Sequence, residues 1–87
     1  MDKLDWKQIE MLAYIYRNEN CISAEIAKDL RITYSHVHSI LHILATENII
    51  VFDEKEGRRR TFRLTKDGRE LAFRCYNLVS VLESIRG

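Results

Sequence analysis

Proline is absent from these 87 residues, and glycine occurs only at positions 57, 68 and 87. Those two residue types are the strongest interrupters of regular structure. A chain so poor in them reads as mostly helix joined by very short connections. Its length allows one domain, residues 1–87, with a core that is modest for its size. No repeat or low-complexity segment interrupts it.

The first helix is expected over 5–17. Asp5 is placed to cap it, Gln8 can reach back as in a capping box, and Leu4 and Ile9 stand where a hydrophobic staple closes. Trp6, Ile9, Leu12, Ala13 and Tyr16 form one apolar stripe; Met11 and Ile15 form a second. Two stripes on one helix of so small a chain suggest a second surface to bury, on another subunit. Asn18-Glu19-Asn20 then reads as a turn, and Cys21-Ile22 as a short extended piece able to add a narrow strand.

Residues 23–30 and 33–47 read as a helix pair. Ser23 is placed to cap the first, in which Ala24, Ile26, Ala27 and Leu30 recur at helical spacing. Arg31-Ile32 makes the turn and Thr33 caps the second helix. There Val37, Ile40, Leu41 and Leu44 share one stripe, and Asn48 can end it in a left-handed conformation. Opposite that stripe lie Ser35, Ser39, His42 and Thr46, flanked by His38 and Ile43. Two short helices at a fixed angle, the second with a bare polar face, match the geometry that fills a DNA major groove.

A hairpin is expected over 49–64. Ile49 to Glu54 is a strand rich in β-branched and aromatic residues. Lys55 to Arg58 is the turn, with Gly57 able to take positive φ. In the return strand Phe62 and Leu64 share a face while Thr61 and Arg63 take the other. The net charge of +1 does not by itself suggest nucleic acid, but its distribution does. Residues 1–57 hold six Lys or Arg against ten Asp or Glu; residues 58–87 hold eight against three. Arg58, Arg59, Arg60 and Arg63 fall within six positions, and a local cluster sets the local field.

The last helix is expected over 65–86, capped by Thr65. Leu71, Cys75, Leu78, Leu82 and Ile85 form a seam of two heptads, broadened by Ala72, Phe73, Tyr76, Val79 and Val81. A helix about 30 Å long and this apolar exceeds what so small a domain can cover. Leu71, Cys75, Leu78, Val79, Leu82 and Ile85 are therefore the expected dimer interface, with the N-terminal helix beside them.

Other chemistries find little support. Cys21 and Cys75 are too few for a disulfide framework and lack metal spacing. They read as small core residues, with a redox pair or a Cys75–Cys75 bridge between two copies left open. His38 and His42 are four apart on one helix face, a spacing that needs a third ligand to hold a metal; no metal or cofactor is expected. There is no phosphate-binding glycine loop, HExxH or nucleophile elbow, so no enzyme is expected. No apolar run approaches a membrane span and no signal-peptide pattern opens the chain, which points to the cytoplasm and to no membrane partner.

In order, the elements are helix, short strand, helix, helix, hairpin, helix: a mainly α fold with a small β-hairpin. Three stretches carry a family likeness. They are Val37 to Leu44 followed by Glu47-Asn48-Ile49-Ile50, then Glu56-Gly57-Arg58-Arg59-Arg60, then Leu64-Thr65-Lys66-Asp67-Gly68-Arg69-Glu70-Leu71. Together they resemble the recognition helix, basic wing and last-helix start of small winged helix-turn-helix transcription regulators of the MarR/PadR-like type, found in archaea and their viruses. The resemblance implies a homodimer that binds double-stranded DNA. Base contacts would come from Tyr34, Ser35, His36, His38, Ser39 and His42, with Thr33 at the start of the helix on a phosphate. The wing residues Arg58, Arg59, Arg60 and Arg63 would hold phosphates or a minor groove, and Lys28 and Arg31 phosphates beside the turn. The family often has Arg or Lys where Ser39 and His42 stand, and this helix has neither. The commonest guanine contact is therefore missing. Histidine protonation near neutral pH can make DNA affinity pH-dependent. The resemblance also allows a small effector between the domain and the dimer helices, although no residue pattern indicates one. The alternative is a winged-helix module that binds protein or RNA, since one fold hosts several functions.

Overall fold

A computed structural model describes residues 5–53 and 61–87. Expectations that fall on Leu4, on the turn at 55–58 and on Arg58, Arg59 and Arg60 lie outside those residues. The elements are α1 (Trp6–Arg17), α2 (Ser23–Leu30), α3 (Tyr34–Thr46), β1 (Ile50–Phe52), β2 (Phe62–Leu64) and α4 (Lys66–Arg86). This is the winged-helix arrangement of four helices and an antiparallel hairpin, with a long last helix.

Each helix start has a local cause. Asp5 accepts the Gln8 N–H at 2.9 Å, Thr33 accepts the His36 N–H at 3.2 Å, and Thr65 accepts the Gly68 N–H at 2.9 Å. Such contacts satisfy donors that a helix leaves orphaned. Two details differ from the sequence expectation. Gln8 does not close a capping box through its carbonyl: Oε1 is buried and has no partner. Ser23 is the first residue of α2 rather than its cap, and is buried. The cap position belongs to Ile22, whose N–H donates to the Glu25 carboxylate at 3.0 Å. That bond also explains why Cys21-Ile22 adds no strand. Ile22 has extended backbone angles, but its N–H is spent on capping, and the sheet among the described residues has only β1 and β2.

The core forms where the stripes meet. Met11, Leu12, Ile26, Val37, Leu41, Leu44 and Ile50 are fully enclosed. α1 lies antiparallel along α4: Tyr16 packs on Phe73 and Tyr76 with ring centroids 5.6 and 5.4 Å away, while Glu10 lines the same cleft as Glu83. The second stripe of α1 needs no second subunit. Met11 and Ile15 are both buried in this chain's own core, because the helix is enclosed on two sides.

The junction after α3 fixes where α4 begins. Asn48 takes positive φ, 61°, which turns the chain into β1. The Thr65 hydroxyl donates to the Asn48 carbonyl at 2.7 Å, and the Thr65 N–H donates to the Ile49 carbonyl at 3.0 Å. Gly68 then packs directly on the Ile49 backbone. An exposed ion pair, Arg69 to Glu19 at 2.6 Å, ties α4 to the loop after α1. No helix among the described residues is long and apolar enough to cross a membrane.

Candidate nucleic-acid interface

The polar face of α3 is held outward by the burial of its opposite face. Val37, Ile40, Leu41 and Leu44 are buried, whereas Tyr34, Ser35, His36, Ser39, His42, Ile43 and Thr46 are exposed. Arg31 begins the turn between α2 and α3. It caps α2 in the left-handed conformation, φ 56°, with its N–H on the Ala27 carbonyl. That is an uncommon state for a non-glycine residue. Below this turn, the Tyr14 hydroxyl donates to the Asp29 carboxylate at 2.6 Å and pins α2 to α1. The bond to Asp29, aided by burial, pushes the Tyr14 phenol well above its ordinary range.

Several side chains of the face are already oriented. The Tyr34 ring, 57% exposed, packs against His38 at a tilt of 59°, with centroids 4.4 Å apart. His38 is half-buried, and its Nε2 has neither a partner nor access to solvent. The Ser39 hydroxyl donates to the Ser35 carbonyl at 3.2 Å, and the Thr46 hydroxyl to the His42 carbonyl at 3.0 Å. With their protons committed to the helix, these oxygens face outward as acceptors. The His42 ring lies 5.2 Å from the Phe52 ring, so α3 touches the base of the hairpin.

At that base, Ile50 pairs with Leu64, Val51 with Arg63 and Phe52 with Phe62. Phe62 faces the core and Arg63 faces out. Asp53 gathers its neighbours: its N–H donates to the Thr61 carbonyl at 2.8 Å, and its carboxylate accepts the Thr61 hydroxyl at 2.9 Å. Arg63 stands 3.5 Å from the same carboxylate. The pair is largely exposed, with Asp53 half-buried, and so is worth little in stability. Lys28 and Arg31 are both exposed beside the start of α3.

The seam expected on α4 divides into two faces. Cys75 is corrected: it is buried in this chain's own core, along with Ala72 and Gly68, and is not part of an outer surface. It cannot bridge to a second copy from there. Leu71 and Val79 are half-buried against the same core. Leu78, Val81 and Ile85 face outward, at 45%, 56% and 76% exposure, beside half-buried Leu82. Both thiols are free. Burial raises both, Cys21 to about 11 with help from the Glu25 carboxylate. Among the described residues no three His, Cys, Asp or Glu side chains gather as a metal would need.

Sequence reasoning missed three contacts that shape this surface. Nothing in spacing pairs Tyr14 with Asp29 or His42 with Phe52, because both link separate elements. The approach of Gly68 to Ile49 did leave a signal, the glycine within the Leu64–Leu71 motif, but not its cause.

Residues 10–68 match the family model described as the F-93 winged-helix domain. The chain belongs to the F-93 winged-helix family. Solved structures share its fold. SSV1 F-93 aligns at a TM-score of 0.75 and 16% identity, over 94% of both chains. AdcR, the adhesin competence repressor of Streptococcus pyogenes, aligns at 0.84 and 17% identity, over 97% of this chain and 63% of its own. The multidrug-efflux regulator MepR of Staphylococcus aureus, solved with DNA, aligns at 0.80 and 24% identity, over 94% of this chain and 62% of its own. This F-93-family chain therefore spans under two thirds of the length of AdcR and MepR. No curated protein matches it by sequence.

Proposed function

We propose that this F-93-family chain is a homodimeric, sequence-specific double-stranded DNA-binding transcription regulator. The observation that carries it is the division of α3: one face is locked in the core, and the other presents Tyr34, Ser35, His36, Ser39 and His42 outward, with no element among the described residues covering them. MepR, of the same fold, was solved bound to DNA. In this arrangement α3 enters a major groove. Arg63, with Arg58, Arg59 and Arg60 of the wing, grips the flanking phosphates or minor groove, while Lys28 and Arg31 hold phosphates at the turn. Two copies meet through the outward stripe of α4, which includes Leu78, Val81 and Ile85. The start of α1, where Trp6 is exposed, lies at the same end. Two recognition helices then address half-sites about one helical turn apart.

The test is binding of the full chain to random-sequence duplex across a salt series, beside Arg58→Ala/Arg59→Ala/Arg60→Ala. Wild type should bind with a steep salt slope, because phosphate contacts release counterions. The variant should bind more weakly, with a slope shallower by up to about 3. Absence of binding at low salt rejects the proposal. It would favour a protein- or RNA-binding module, for which the lack of Lys and Arg between Tyr34 and Thr46 already speaks.

A further inference from the structure

The recognition helix poses a charge problem. From Tyr34 to Thr46 it carries three histidines and no Lys, Arg, Asp or Glu. If α3 enters the groove as proposed above, its only source of positive charge is imidazole. We propose that His36 and His42 are ionised on DNA, so that binding takes up protons and strengthens as pH falls through neutrality. This deepens the proposed function and rests on it.

The surroundings of the two rings favour that role. Both are exposed, and among the described residues no carboxylate forms an ion pair with either. Among the described residues, three carboxylates on the elements packed against α3 are engaged elsewhere. Glu25 takes the Ile22 N–H, Asp29 takes the Tyr14 hydroxyl, and Asp53 takes Thr61 and Arg63. Glu47, at the far end of α3, caps the helix through its backbone N–H. The nearby cations are Lys28 and Arg31, before α3, and Arg63, on β2. A phosphate backbone brings negative charge beside the rings, and nearby negative charge favours the protonated form. For His42 there is a further contribution: a cation 5.2 Å from the Phe52 ring lies within cation–π range.

An imidazolium donates from both nitrogens. It can therefore meet the paired acceptors N7 and O6 of guanine, or a phosphate oxygen, where other recognition helices use arginine. His38 has a different task. Its enclosed Nε2 cannot reach DNA, and its ring supports Tyr34, so it acts as a positioning residue.

The experiment is fluorescence anisotropy of a labelled duplex with the full chain at pH 6, 7 and 8, at constant ionic strength. The variants are His36→Asn/His42→Asn and the triple wing variant. Affinity of the wild type should rise about tenfold or more from pH 8 to pH 6, as expected when one or two protons are taken up. The wing variant should keep that dependence and the histidine variant should lose it, whatever its affinity at pH 8. In parallel, NMR titration of the imidazole signals should show both rings holding their protons to higher pH with DNA than without. Wild-type binding that is flat with pH, or a histidine variant that keeps the full dependence, overturns the proposal and leaves DNA binding standing. Failure to bind at any pH in low salt overturns both.

Discussion

Gly68 lies against the backbone of Ile49 with no space for a side chain: a Cβ at this position would stand well inside van der Waals distance of the Ile49 carbonyl. That carbonyl also accepts the Thr65 N–H at 3.0 Å, so the first turn of α4 is clamped to the residue just before β1. Gly68→Ala must push α4 away from this junction. The expected cost is about 1–3 kcal/mol, the usual range for overpacking, read as a lower midpoint in urea unfolding at fixed protein concentration. An unchanged midpoint would show that the junction yields without strain.

Thr65 joins the same junction through its hydroxyl, which accepts the Gly68 N–H and donates to the Asn48 carbonyl. Thr65→Val keeps the shape and removes both bonds. A loss of about 1–2 kcal/mol is expected, as for a lost helix cap, with Thr65→Ser restoring most of it. Thermal unfolding of the three proteins measures this.

The sequence carried most of the fold because its rules are local. Asp5, Thr33 and Thr65 cap helices at the expected places, Asn48 takes the left-handed turn, and Val37, Ile40, Leu41 and Leu44 face inward. The misplacements have a common cause in tertiary contact. Met11 and Ile15 were legible as a second apolar stripe, but helical periodicity does not say which neighbour covers a stripe. Cys75 kept heptad spacing with Leu71 and Leu78, yet lies slightly nearer the core side of α4, and that offset decides burial. At the interface, the absence of Lys and Arg from α3 was legible. The tilted contacts of Tyr34 with His38 and of His42 with Phe52 were not, because ring orientation depends on packing.

The Tyr14–Asp29 bond gives a dependence on alkaline pH. The phenol is raised in the folded chain, chiefly by that hydrogen bond. Its contribution is therefore complete below the ordinary tyrosine value of about 10, and is lost as pH climbs above it, where only the unfolded chain ionises freely. Wild type should lose stability above pH 10 more steeply than Tyr14→Phe, as measured by urea midpoints between pH 8 and 11. Parallel curves would show that the bond contributes nothing.

Burial of both thiols, with Cys21 raised to about 11, leaves little thiolate near neutral pH. A thiolate is the reactive form. In the native protein at pH 8 a thiol reagent should label neither cysteine within minutes, whereas both should react at once in denaturant. Rapid labelling of Cys75 alone would indicate that α4 lifts from its own core.

The outward stripe of α4 makes self-association separable from folding. Leu78 and Ile85 are exposed in the single chain, so Leu78→Glu/Ile85→Glu removes no core contact. Sedimentation should show a dimer for wild type and a monomer for the variant, with unchanged helical circular dichroism. A variant that remains dimeric would place the interface elsewhere.

The most direct test of the central claim, that the outward face of α3 reads duplex DNA, is an amide NMR titration of the full chain with a duplex. The account predicts that the largest shifts fall at Tyr34, Ser35, His36, Ser39 and His42 and at Arg63, with the amides of Leu78 to Ile85 unmoved. Shifts confined to α4, or none along α3, would contradict it.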